Sequence, residues 1–323
     1  MPTRRTLLTA VIPVLLGAAR APRRVLTAAD VHSNGYPTVE AMKYIGDRLS
    51  AATDGRLALR VYHSGQLGRE SDSIDTVRFG GIDLTRVNFG PLNNPFPSTR
   101  LAILPFVFDS VAHMRRSIDG EPGRLIRADF ARRGLVCLCI YDAGERCLYN
   151  TRRPIESPED LAGLKIRVPP SDVFLDMGAA LGANPTPLAY GEVYSALQTR
   201  LIDGAENNVR SFHSSRQFEV ARYWSQTNHS YAPDALITSQ RLLDALGPAV
   251  AQALSAAASD SVAYMRRLWD ADVERSMAAV VESGVRINRV DVQAFRRACS
   301  PLLKRYLAEP AQRRLYGTIR ELA

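Results

Sequence analysis

Leu161-Ala-Gly-Leu-Lys-Ile-Arg-Val-Pro-Pro170, followed by Leu201-Ile-Asp-Gly-Ala-Glu-Asn-Asn208, carries the decisive signal in this chain. The first stretch reads as a short buried strand closed by prolines, with one arginine, Arg167, inside it. The second reads as a tight Asp203-Gly204 turn feeding a strand that ends on two asparagines. A guanidinium among apolar side chains is costly to bury unless an anion meets it. Its planar fork fits a carboxylate through two parallel hydrogen bonds. The two stretches together predict a dry, fixed receptor for a small organic acid.

Outward from that strand the chain alternates strand and helix. Val25–Val31, Leu57–Val61, Ile82–Val87 and Leu135–Tyr141 read as strands; Tyr36–Ala52 and Glu70–Phe79 read as helices from their apolar spacing. Leu101–Phe108, apolar but holding Pro105, is expected to be an edge or bent strand. A second alternating block begins at Glu145: strands at 145–150, 165–168, 184–187 and 205–208, with helices between them at 171–181 and 190–199. Tyr223–Ile237 reads as extended chain returning to the first block. Such alternation argues for an α/β fold. The simplest assembly is two lobes: residues 22–142 with about 228–245 in lobe I, and 143–227 in lobe II, joined by hinge strands. Pro248–Ser283 has helical spacing without an internal breaker, between a proline and Gly284. A helix of that length exceeds one lobe, so it is expected to span both, with the remainder of 246–323 packing on the two lobes as helices.

Composition bounds the function classes. The 323 residues carry a formal net charge of +8, almost all of the cations being arginine. They are scattered, with no aromatic-interleaved basic stripe, so nucleic acid is not an expected partner. Residues 1–21 read as an export signal: Arg4-Arg5, a short apolar run, then Ala19-Arg20-Ala21. The adjacent arginines also fit a twin-arginine signal, so Sec and twin-arginine export both stand. A periplasmic location follows. Cys137, Cys139, Cys147 and Cys299 form no CxxC pair and no zinc spacing, and no cofactor or metal is expected. Cys137 and Cys139, two apart in a strand, should share one face, where they are poorly placed to bridge each other. A disulfide from Cys147 to either one stays open.

Several motifs then converge. Gly35-Tyr-Pro-Thr-Val-Glu40, Gln66-Leu-Gly-Arg-Glu70, Leu104-Pro-Phe106, Asp160–Val168, Gly182-Ala-Asn-Pro-Thr-Pro187, Glu192–Gln198 and Asp203-Gly-Ala-Glu-Asn207 resemble those of the DctP-type extracytoplasmic solute receptors of tripartite ATP-independent periplasmic (TRAP) transporters. The resemblance implies a two-lobed periplasmic binding protein fold that closes on a carboxylate-bearing solute and hands it to a TRAP membrane permease. It implies that Arg167 clamps the carboxylate and that Asn207 supports it. Asn208 departs from the proline common at that place, and Arg200 from a small residue.

The candidate binding residues are Arg167, Arg146, Asn207, Tyr190, Glu70, His32 and Asn88. Arg146 opens a strand and offers a second cation, or else pairs with Glu145 or another nearby acid. Asn207 can accept from a guanidinium and donate to a carboxylate at once. Tyr190 offers a ring and a hydroxyl. His32, Glu70 and Asn88 stand at strand ends and a helix start, where α/β lobes bind ligands. Glu70 would repel a second carboxylate yet accept from hydroxyls, which fits a sugar acid such as a hexuronate better than a simple dicarboxylate; within the family, C4-dicarboxylates and keto or hydroxy acids stay open. His229 and Asp234 are weaker candidates. No GxSxG, HExxH or phosphate loop supports an enzyme. A sensor subunit for a membrane kinase would use the same closure as a transport receptor.

Overall fold

The computed structural model describes residues 24–323; the export signal expected over 1–21 lies outside them. The strands are β1 (Arg24–Ala29), β2 (Leu57–Tyr62), β3 (Leu84–Asn88), β4 (Leu135–Tyr141), β5 (Arg146–Asn150), β6 (Lys165–Val168), β7 (Asn184–Pro187), β8 (Gly204–Asn207), β9 (Tyr223–Ser230), β10 (Asp234–Ser239) and β11 (Arg286–Arg289). They form two sheets, of order β2-β1-β3-β10-β4 and β11-β9-β5-β8-β6-β7. In each sheet one strand runs against the rest: β10 in the first, β5 in the second. Both are entered by a short crossing from the other sheet, Asp142–Glu145 before β5 and Tyr231–Pro233 before β10. Parallel neighbours would need a longer connection, usually a helix.

Helix α1 (Pro37–Ala52) buries Val39, Met42, Ile45 and Leu49, the stripe its spacing predicts. Helix α2 (Glu70–Phe79) has Glu70 and Asp72 in its first turn and ends at a left-handed Gly80. The long helix runs from Pro248 to Glu282, about 52 Å at ~1.5 Å per residue. Leu254, Ala258, Met265 and Trp269 pack into the first sheet's core. Further along, Met277 and Val280 pack into the second's. The helix therefore lies across both, as its length predicts.

Gly144, in the first crossing, has φ +66°, and a Cβ there would lie 2.9 Å from Trp269 Cζ2. Valine would combine a left-handed backbone with a collision against a buried ring. Gly144→Val is expected to lose roughly 2–4 kcal/mol, read as a lower urea midpoint at unchanged m. A native midpoint would mean that the crossing does not rest on the helix.

The structure corrects two expectations. Leu101–Phe108 is not a strand: Pro97–Ile103 forms a 3-10 helix, and the rest is irregular. Leu101, Ile103, Leu104, Val107 and Phe108 instead plug the core shared by the two lobes. The Phe106 N–H donates to His229 O at 2.9 Å, so the segment is tied to the returning strand rather than to a sheet edge. Cys137 and Cys139 do not share a face either. The register of β4 on β10 shifts between Leu236 and Ile237, a bulge that lets Leu138 pass unpaired. Cys137 packs in one core and Cys139 in the other. Cys147 belongs to a third core, in the second sheet, and all four cysteines are free and buried. β11, which no motif signals, adds an edge strand parallel to β9.

Candidate functional site

The lobes meet over a cavity of about 30 Å³ lined by strand ends and helix starts of both sheets. Arg167, Arg146, Asn207, Tyr190, Glu70, His32 and Asn88 all line it. Residues far apart in sequence are thus brought to one place, and the two walls differ in charge.

The second sheet supplies the cationic wall. Arg167 stands on β6, 3 % exposed, in a strand that is buried except at Lys165. Its Nε and Nη2 both donate to the Leu188 carbonyl, at 2.9 and 2.7 Å. That carbonyl fixes the side edge of the guanidinium. The end edge, Nη1 with the other Nη2 hydrogen, is left toward the cavity. Among the described residues Arg167 has no direct carboxylate partner, and burial pulls its pKa below the ordinary guanidinium value. Arg146, on β5, is different. Its Nη2 donates to Glu206 Oε1 at 2.6 Å and its Nε to Oε2, so a buried carboxylate neutralises it. Burial alone would raise the Glu206 pKa, but Arg146 and His229 together hold it low. Arg146 Nη1 also donates to Asn207 Oδ1 at 3.0 Å, and the Asn208 N–H donates to the same oxygen. The Asn207 carbonyl is thereby committed, and its Nδ2 remains for a ligand acceptor.

The first sheet supplies an acceptor-rich wall around Arg86, which is 1 % exposed on β3. Its Nη2 donates to Asp30 Oδ1 at 2.7 Å, its Nη1 to Glu70 Oε1 at 2.6 Å, and Nη1 lies 3.3 Å from Asp234 Oδ1. One cation faces three carboxylates, so this wall is net negative. Burial would lower the Arg86 pKa, but Asp30, Asp234 and Glu70 together drive it up. Burial would likewise raise Asp30, which Arg86 and His32 instead hold far below the carboxylate range. Asp234 goes the other way: burial outweighs Arg86 and raises it. Glu70 Oε1 also accepts from the Asn88 N–H at 3.0 Å, while Oε2 has no bond among the described residues.

Asn88 is the most committed of the seven. Its Oδ1 accepts from the Gly90 N–H, and its Nδ2 donates to Ala232 O at 2.7 Å and Asp234 Oδ1 at 2.8 Å. It lines the cavity as a cap and a strut for Asp234. His32 Nδ1 lies 3.0 Å from Asp30 Oδ1 and 2.7 Å from Arg86 Nη2, and the ring stacks on Tyr36 at 3.7 Å. Tyr190 sits 5.1 Å from His32, its hydroxyl 3.4 Å from Ser211 O. His229 does not reach the cavity; its Nε2 lies 3.4 Å from Glu206, behind Arg146.

Sequence reasoning missed Arg86, Asp30, Tyr36 and Ser211, and ranked Asp234 low. Arg86 had a signal: like Arg167, it is a lone arginine in an apolar strand, Leu84-Thr-Arg-Val-Asn88. Tyr36 and Ser211 join the lobes, hydroxyl to hydroxyl at 2.9 Å, and nothing local in sequence announces such a pair. Among the described residues no His, Cys, Asp and Glu cluster could hold a metal ion, and no helix is long and apolar enough to cross a membrane.

Comparison with known proteins places this geometry. The model for bacterial extracellular solute-binding proteins of family 7 matches residues 28–309. A TRAP periplasmic solute-binding protein from Bradyrhizobium, solved with galacturonate, superposes with a TM-score of 0.90 at 43% identity, covering 92% of this chain and 100% of that one. One from Roseobacter denitrificans, solved with β-D-glucuronate, has a TM-score of 0.88 at 38% identity, covering 91% and 98%. The 2,3-diketo-L-gulonate-binding periplasmic protein of Escherichia coli is 33% identical over 81% of this chain and 82% of its own length.

Proposed function

The chain belongs to the bacterial extracellular solute-binding proteins of family 7, and from that premise we propose that it is a periplasmic receptor that captures a hexuronate and delivers it to a TRAP membrane permease. The observation that carries this reading is the opposition of Arg167, a buried cation without a carboxylate partner, to a wall of carboxylate and amide acceptors. In this reading Arg167 takes the ligand carboxylate on its end edge, assisted by the Asn207 amide. Arg146 contributes shape and a hydrogen-bonded platform more than charge. Glu70, Asp234 and His32 take hydroxyls, and Tyr36 and Tyr190 cover the sugar ring. The uronate ligands of similar receptors support the same class.

At the closure described, the cavity has room for about two waters, so a six-carbon acid must part its walls. The lobes, residues 24–142 with the return strand β10 against 143–227, are proposed to rotate about Asp142–Glu145 and Tyr231–Pro233, guided by the long helix. Tyr36–Ser211 and Arg69–Glu192, which bridge the lobes, would then form on closing.

The first wall should reject dicarboxylates. A second carboxylate about 5 Å from an uncompensated acid costs roughly 3 kcal/mol at an effective dielectric near 20. In titration calorimetry of the mature protein, D-galacturonate or D-glucuronate should bind at least about a hundredfold more tightly than succinate. Equal or tighter succinate binding would overturn the hexuronate reading; binding of neither would overturn the acid receptor.

A further inference from the structure

Beyond the acid cavity the cleft does not end. Past Glu70 and Tyr190 it opens into a vestibule of about 240 Å³, which shares Val31, Glu70 and Tyr190 with the inner cavity. Ser64, Gly65, Gly68 and Ser71 form one side of it; Pro170 and Ala189–Glu192 form the other. The Arg69–Glu192 pair, 2.6 Å apart and exposed, closes its rim. The lobes are thus shut at the acid cavity and at the rim while leaving a space between. Gly191 faces that space. A Cβ there would meet nothing within 4 Å, and its φ lies outside the left-handed region, so neither packing nor backbone requires glycine.

We propose that the receptor's solutes include uronides, in which the uronate is joined through a glycosidic bond to a second sugar, and that this second sugar occupies the vestibule. The inference rests on the hexuronate reading and extends it. With the carboxylate on Arg167, the ring edge away from it would face Val31, Glu70 and Tyr190, the residues common to the two spaces. The lining suits a sugar. Proline faces at Pro91 and Pro170 offer apolar contact to C–H groups, and the Ser64 and Ser71 hydroxyls offer donors and acceptors. Tyr36, Ser211 and Arg167 line the inner cavity and not the vestibule, so a second ring seated there asks nothing of them beyond what the uronate asks.

Calorimetric titration with D-galacturonate and with digalacturonate tests this. The native protein should bind the two within about tenfold of each other. Gly191→Trp and, independently, Ser71→Trp fill the vestibule from opposite walls. Each should keep galacturonate binding within about threefold and weaken digalacturonate by at least about a hundredfold. Native protein that binds galacturonate but not digalacturonate overturns the proposal and leaves the hexuronate reading standing. Tryptophan variants that weaken both ligands alike also overturn it, because the vestibule would then belong to the primary site. If the native protein binds neither, the hexuronate reading itself fails and takes the proposal with it.

Discussion

Arg167→Lys is expected to weaken galacturonate binding by roughly two to three orders of magnitude and to leave the protein folded. In the proposed clamp the native guanidinium does two jobs at once. Its side edge is held by the Leu188 carbonyl through Nε and Nη2, and its end edge is left for two parallel bonds to a carboxylate. An ammonium has its three protons on one nitrogen and can do one of these jobs or the other. Stability should not follow affinity. Without ligand, Arg167 is a buried charge with no direct counter-ion among the described residues, and burial already lowers its pKa. Lysine loses its proton more readily in such a place and so relieves the strain. Arg167→Met should therefore unfold at no lower a urea concentration than the native protein while binding no detectable uronate. Calorimetry and urea melts on the same samples check both halves. Lysine that binds within about threefold of native would remove the clamp from the mechanism.

The sequence announced Arg167 and the two lobes for one reason: both are local signals. A charged residue inside Leu164–Val168 conflicts with its apolar neighbours, and strand–helix alternation is visible in any short window. The long helix was legible from Pro248 and Gly284, which bound it. Leu101–Phe108 was misread because apolar content does not distinguish a strand from a core plug. The β4 bulge was invisible because one unpaired residue alters face without altering composition. The site was legible by halves. Its second wall lies inside motifs, whereas Asp30 and Tyr36 matter only through partners far along the chain. The neutralisation of Arg146 by Glu206, rather than by the adjacent Glu145, depends on β5 lying beside β8, a pairing the strands do not encode singly.

Arg86→Met is expected to have the largest effect on stability, about 3–5 kcal/mol, the usual cost of stripping one partner from a buried ionic network. Arg86 is the cation that Asp30, Glu70 and Asp234 share, and its side chain is 1 % exposed. Removing it leaves three carboxylates crowded in a dry wall, with His32 beside Asp30 as the nearest compensating group. The pH dependence contributed by Asp30 should reverse. In the native protein Asp30 titrates far below its unfolded value. Its stabilisation is therefore complete above the ordinary aspartate pKa, near 4, and is lost as pH falls through the acid range. In Arg86→Met, Asp30 and Asp234 lose the cation that opposed burial, so their folded pKa values rise above the unfolded ones. Such groups favour folding below pH 4 and cease to do so as pH rises through the raised values. Asp234, already raised by burial against Arg86, should lead this change. Urea melts across pH 5 to 8 should thus find the variant steadily weaker toward neutrality. The native protein, over the same interval, should decline less, because Asp234 is raised there while Asp30 stays ionised. A variant with the native slope would mean that Arg86 is not the counter-ion of that wall.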